Sequence, residues 1–166
     1  MSTAPPQIPG AEMAGAAPRD NVRDVAAPEG TPNANQLDKL AIVGAISWLM
    51  MSTPTHKHVF VSDLEWSVMP PVALGQFFLW RRQGVPVGYA TWAYLNQEAE
   101  ERVRSGSLRL APKDWKSGDR LWLIDFVVPF GGQQEALVEL KTKILAGKKV
   151  NAVQRAPDGG LAFMQW

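Results

Sequence analysis

Asp114-Trp115-Lys116-Ser117-Gly118-Asp119-Arg120-Leu121-Trp122-Leu123-Ile124-Asp125-Phe126-Val127-Val128-Pro129-Phe130-Gly131-Gly132 decides how the rest of the chain is read. Lys116 to Asp119 has the composition of a turn. Leu121 to Val128 is apolar at every position but one, the pattern of a strand buried on both faces. Pro129 stops it, and Gly131-Gly132 lead into a helical pattern. The exception is Asp125. A carboxylate in a buried strand is costly unless something pairs with it. His56 is the candidate partner. The alternatives are Arg120 or Lys141, which would leave His56 an ordinary surface histidine.

Working outward, Gly132 to Ala146 reads as an amphipathic helix, with Leu137, Leu140 and Ile144 inward and Glu139, Lys141 and Lys143 outward, capped by Gly147. Lys148 to Arg155 and Leu161 to Trp166 read as strands joined by a turn at Pro157-Asp158-Gly159-Gly160. On the other side, Phe77 to Arg82 and Val85 to Tyr94 form a hairpin around Gln83-Gly84. Asn96 to Ser105 is a short polar helix with acids early and bases late, as the helix dipole favours. Ser107 to Ala111 and Val59 to Val61 read as short extended pieces. Asp63 to Gln76 has helical spacing interrupted by Pro70-Pro71. Leu37 to Met51 is a helix apolar nearly all round, with Asn35 as its cap.

Residues 1–35 are rich in Pro, Ala and Gly and lack aromatic side chains. Such a segment cannot bury enough apolar surface to offset its ordering entropy, so it reads as a disordered tail before one domain, 36–166. The order is helix, helix, hairpin, helix, strand, helix, hairpin. That implies a mixed α/β (α+β) domain whose largely antiparallel central sheet is flanked by helices.

Composition narrows the function. A net charge of +1 gives no basic field for nucleic acid. The absence of cysteine removes disulfides and thiolate metal sites, and fits a reducing compartment. No apolar run has the length of a membrane span. The expectation is a soluble, cytoplasmic protein.

His56 and Asp125 are the residues suited to chemistry. Imidazole accepts a proton near neutral pH, and a carboxylate on its far nitrogen fixes the tautomer and steadies the imidazolium. Ser52 to His58, the polar loop that holds both histidines, is where a reactive group would be presented. His56 and His58 lack a third histidine or cysteine to make a metal site, so no metal is expected. Gly131 and Gly132 at a strand-to-helix junction offer backbone amides to an anion, although an ordinary loop is the commoner explanation of such a pair. The tryptophans read as core, or as walls of an apolar channel.

The chain resembles the bacterial toxin-activating lysine acyltransferases, which activate RTX protoxins. The matching pieces are Gly44-Ala45-Ile46-Ser47-Trp48-Leu49, Ser52-Thr53-Pro54-Thr55-His56, Pro86-Val87-Gly88-Tyr89-Ala90-Thr91-Trp92-Ala93, Asp114 to Asp125, and Pro129-Phe130-Gly131. The resemblance runs from about residue 40 to the C-terminus. It implies a variant of the N-acetyltransferase fold that takes a fatty acyl group from acyl–acyl carrier protein to internal lysines of a protoxin. It also implies a cytoplasmic homodimer without a bound cofactor.

The family's essential histidine and aspartate fall on His56 and Asp125. Thr53, at a position usually serine, keeps a hydroxyl, and either that hydroxyl or a backbone amide is expected to donate to the oxyanion. Ser67 stands where relatives often carry asparagine. The long tail and the stop at Trp166 also depart from the pattern, which makes docking of the protein substrate the least transferable part. On this reading Trp92 and Trp122 wall the acyl site, Arg120 meets the carrier's acidic surface or else makes a strand-end salt bridge, and Gly131 and Gly132 receive the phosphopantetheine phosphate. Transient acylation of His56 is a variant of the same chemistry. A thioesterase using the same pair, and a non-catalytic module binding acyl carrier or toxin, are the rival readings.

Overall fold

The computed structural model describes residues 34–107, 109–155 and 159–166. Five strands form one sheet in the order β1 (Phe77–Arg82), β2 (Val85–Leu95), β3 (Arg120–Val127), β4 (Val150–Arg155) and β5 (Leu161–Gln165). All neighbouring pairs are antiparallel except β3 with β4. The helices are α1 (Ala34–Met51), α2 (Leu64–Ser67), α3 (Met69–Leu74), α4 (Gln97–Arg104) and α5 (Gln133–Glu139). The expected α+β domain with a mostly antiparallel sheet is the architecture observed.

Both faces of the sheet are covered, which is why β2 and β3 read as nearly continuous apolar runs. On one face, Ile46, Leu49 and Met50 of α1 pack with Val68 and Val72 against Tyr89 and Val127. Further along that face, Ala99 and Val103 of α4 meet Ala93, Leu95 and Trp122. On the other face, Leu140 and Leu145 cover Ala90, Trp92, Leu121 and Val150. The turn before β3 docks on the end of β2, where Tyr94 O accepts from the amides of Ser117 and Gly118 at 2.8 and 3.0 Å. A Cβ on Gly118 would lie 2.4 Å from Leu95 O, so only glycine lets the two chains approach.

The feature that positions the site is a β-bulge in β3. Thr91 of β2 stands opposite Asp125, but its neighbour Trp92 stands opposite Leu123, which leaves Ile124 as the extra residue. Leu121 and Leu123 pack on the α5 face, and after the bulge so does Phe126. Ile124 and Asp125, although adjacent, therefore both point to the α1 face. In a straight strand Asp125 would share the face of Leu121 and Leu123, buried beneath α5.

Several boundaries differ from the sequence reading. Ala34 and Asn35 already belong to α1, so Asn35 is inside the helix. The rest of the expected tail lies outside the described residues, as do Pro157 and Asp158 of the last turn. Val59 and Phe60 are irregular and Val61–Asp63 is a 3₁₀ turn, not an extended piece. Arg109 to Ala111 pairs with no strand. The helix after Gly132 is regular only to Glu139. Leu140–Ile144 is π-helical, closed by Leu145 N donating to Leu140 O at 2.8 Å. Among the described residues, no helix is long and apolar enough to cross a membrane.

Candidate active site

α1 ends at Met51, and the chain turns tightly through Ser52 to His58. The amides of Ser52 and Thr53 donate to Leu49 O and Met50 O, and those of His56 and Lys57 both donate to Thr53 O. Pro54, with its fixed φ, begins the turn. These bonds aim the His56 ring at β3. Its Nε2 lies 3.0 Å from Asp125 Oδ1, across 69 residues of sequence. Arg120 and Lys141, the alternative partners for Asp125, are engaged elsewhere. Arg120 Nε pairs with Glu100 Oε2 at 2.9 Å, and Lys141 Nζ sits 4.4 Å from the Trp166 ring centroid.

Asp125 has a second partner that sequence reasoning missed. Tyr89 is 1% exposed, and its hydroxyl donates to Asp125 Oδ2 at 3.3 Å. Both carboxylate oxygens are thus held. The only sequence signal was register: on β2 Tyr89 lies two positions from Thr91, Asp125's cross-strand neighbour, and so on the same face. Burial, then the negative charge of Asp125 and the bond to it, push the Tyr89 hydroxyl far above its ordinary pKa, so it stays a donor. The His56 imidazole is held above its ordinary value of 6.5, chiefly by the hydrogen bond to Asp125. Burial opposes that shift, and Coulombic attraction to Asp125 adds to it.

The hydrogens on the far side of the ring can be assigned. The Thr53 hydroxyl donates its one proton to Met50 O at 2.9 Å, so its oxygen faces His56 Nδ1, 3.3 Å away, only as an acceptor. In this arrangement the Thr53 proton is directed to Met50 O and away from the cavity. Thr55 Oγ1 is 2.9 Å from the same nitrogen.

Beside the pair lies a cavity of 130 Å³ lined by Met50, Val59, Trp66, Ser67, Trp115 and Ile124 together with His56 and Asp125. Ser67 donates to Asp63 O at 2.7 Å and so presents lone pairs, not a proton, to its surroundings. Trp66 and Trp115 are the indoles of this wall. Trp92 and Trp122 are not. Trp92 packs on the opposite face of the sheet, and Trp122 donates to Glu100 Oε1 at 3.1 Å near the other end of β3.

Gly131 and Gly132, with φ of 85° and 84°, line a separate cleft of 390 Å³ together with Arg81 and Arg82. Phe130, just before them, packs against Trp48 of α1 with ring centroids 5.4 Å apart. Among the described residues, no three histidine, aspartate or glutamate side chains gather in a way that could hold a metal ion.

The profile of the RTX toxin acyltransferase family matches residues 35–163. The protein-lysine myristoyltransferase RtxC of Kingella kingae is 37% identical over 95 residues, which cover 57% of each chain. The protein-lysine myristoyltransferase HlyC of Escherichia coli is 40% identical over 92 residues, 55% of this chain and 53% of that one. The leukotoxin-activating lysine-acyltransferase LktC serotype A1 of Mannheimia haemolytica is 39% identical over 93 residues, 56% of each. The chain spans a little over half the length of these relatives in the matches, whereas the family profile takes in α1, the His56 loop and all of β3. By that match, the chain belongs to the RTX toxin acyltransferase family.

Proposed function

We propose that the chain transfers a fatty acyl group from the thioester of acyl–acyl carrier protein to the ε-amine of lysines in an RTX-type protoxin, with His56 as general base and Asp125 as its support. The observation that carries this is the 3.0 Å contact between His56 Nε2 and Asp125 Oδ1 beside an accessible cavity. The names of the relatives, lysine acyltransferases and myristoyltransferases, supply the reaction class.

The chemistry follows from the proton positions. A lysine ammonium, which ordinarily titrates at about pH 10.4, first releases one proton to solvent, and the neutral amine attacks. In neutral His56 the Nε2 proton is donated to Asp125, which leaves Nδ1 as the base. The amine nitrogen bonds to the thioester carbonyl carbon, and Nδ1 takes the amine proton. The C–S bond then breaks, and the imidazolium returns a proton to the carrier's thiolate. Asp125 favours the imidazolium at the moment it forms. The donor's phosphodiester is assigned to the cleft at Gly131 and Gly132, which Arg81 and Arg82 line together with Glu135 and Glu139. Arg120 has no part in this scheme, since Glu100 already holds it.

His56→Ala, assayed with myristoyl-loaded acyl carrier protein and an unacylated RTX protoxin by intact mass, should lose transfer by about 10²–10⁴-fold, the span of general acid–base catalysis. Undiminished transfer would refute the role of His56. Release of free fatty acid without protoxin acylation would make the chain a thioesterase.

A further inference from the structure

The imidazole's free nitrogen, Nδ1, is faced by protein hydroxyls. Two hydroxyls stand against His56 Nδ1, those of Thr53 and Thr55, and they are not equivalent. The single Thr53 proton is engaged at Met50 O, 2.9 Å away. Thr55 Oγ1, at 2.9 Å from Nδ1, has no other partner among the described residues. With the Nε2 proton directed to Asp125, a neutral ring must accept at Nδ1, and Thr55 is the group that can donate to it. Thr55 is also exposed at the apex of the turn, on the solvent side of the ring, and lines none of the 130 Å³ cavity.

We propose that Thr55 is a catalytic proton relay between the attacking amine and His56, and that the acceptor lysine therefore approaches from the Thr55 side of the imidazole. The proposal rests on the base role given to His56 above. As the amine nitrogen bonds to the thioester carbon, its proton passes to Thr55 Oγ1, and the Thr55 hydroxyl proton passes to Nδ1. The ring becomes imidazolium and Thr55 remains a neutral alcohol. The new Nδ1–H then points at Thr55 Oγ1 and, at 3.3 Å, at the oxygen of Thr53, whose own proton is engaged elsewhere. Thr53 thus acts as an acceptor that steadies the charged ring, and Thr55 changes from donor to acceptor as the proton arrives.

A rival view follows from the same distances. Thr55 could be a competitor that substrate must displace, in which case its removal would speed the reaction. The two views separate in the isosteric variant Thr55→Val, with Thr55→Ser as the rescue and His56→Ala as the reference. All are assayed with myristoyl-loaded acyl carrier protein and an unacylated RTX protoxin. The relay requires kcat to fall by about tenfold or more in Thr55→Val and to return to near wild type in Thr55→Ser. The solvent isotope effect on the acylation step should change from a two-proton to a one-proton dependence on deuterium fraction in the valine variant. Unchanged or raised kcat in Thr55→Val, with His56→Ala inactive, overturns the relay and leaves His56 as the base. Activity retained in His56→Ala overturns both.

Discussion

Two carboxylates, one at each end of the β3 region, are held in closely parallel ways and are suited to different work. Glu100 receives the Trp122 indole proton at 3.1 Å and pairs with Arg104 and Arg120 at 3.3 and 2.9 Å. Asp125 receives the Tyr89 hydroxyl proton at 3.3 Å and pairs with His56 at 3.0 Å. Each has one aromatic donor and a cationic or titratable partner. The Glu100 side chain is 13% exposed and that of Asp125 27%, so neither is fully sealed. The difference lies in the partner. Guanidinium keeps its proton under all ordinary conditions, so the Glu100 cluster has one charge state. Imidazole gains and loses a proton near neutrality, so the Asp125 cluster has two. A paired carboxylate in a strand is therefore structural or reactive according to what faces it, and burial alone does not tell the two apart.

The most severe way to break this contrast is Asp125→Asn. The amide keeps the shape but cannot favour the imidazolium, and transfer should fall by about 10²–10⁴-fold. The pH profile carries the sharper test. In the proposed mechanism neutral His56 is the active form, and Asp125 raises its pKa above 6.5. The acid limb of kcat/KM should lie above that value in the wild type and move to lower pH in the asparagine variant. A limb that stays in place would mean that it reports some other group.

Tyr89→Phe should have a smaller effect with the opposite sign. Losing the hydroxyl leaves Asp125 Oδ2 without its donor, so the carboxylate becomes more basic and attracts the imidazolium proton more strongly. The acid limb should move up in pH while kcat falls by about three- to tenfold, and stability should drop by about 1–2 kcal/mol for the unpaired buried oxygen. A purely packing role for Tyr89 would lower stability and leave the limb unmoved.

Much of the molecule was legible in the sequence, and what was not has identifiable physical causes. The apolar run of β3, the hairpin around Gln83-Gly84 and the polar helix from Asn96 to Ser105 are local patterns. They appear as β3, the β1–β2 pair and α4, whose cap is Asn96 Oδ1 accepting from Ala99 N at 2.9 Å. The π turn at Leu140–Ile144 leaves no trace in apolar spacing because Leu140 and Ile144, its apolar residues, still face the sheet. The bulge at Ile124 is equally invisible, since both faces of β3 are apolar and either register reads the same. For that reason strand alternation could not say which face Asp125 takes, and the pairing with His56 rested on the need for a partner and on the family resemblance. The indoles beside the His56–Asp125 pair were hidden for a related cause. Trp92 and Trp122 lie on the motif-bearing strands, yet the cavity walls come from Trp66 and Trp115, set by the 3₁₀ and short helical turns that follow the His56 loop and precede β3. Tyr89 shows that a site residue can be two register positions from its partner's neighbour and still look like core.

The smallest expected effect tests the other half of the contrast. Glu100→Gln keeps an oxygen for the Trp122 indole and removes the charge between Arg104 and Arg120. Those two side chains are 48% and 42% exposed, so each guanidinium returns to water at little cost. Stability should fall by about 1 kcal/mol, as for other partly exposed ion pairs. Transfer should stay within about twofold, because nothing in this cluster reaches His56 or the cavity beside it, and the acid limb should not move. A loss of transfer by an order of magnitude at preserved stability would invert the comparison. It would mean that Arg120, held in place by Glu100, meets the acidic surface of the carrier. The charge-fixed cluster would then belong to the donor's docking surface, and the two ends of β3 would divide the substrates between them, with the carrier at Arg120 and the lysine at His56.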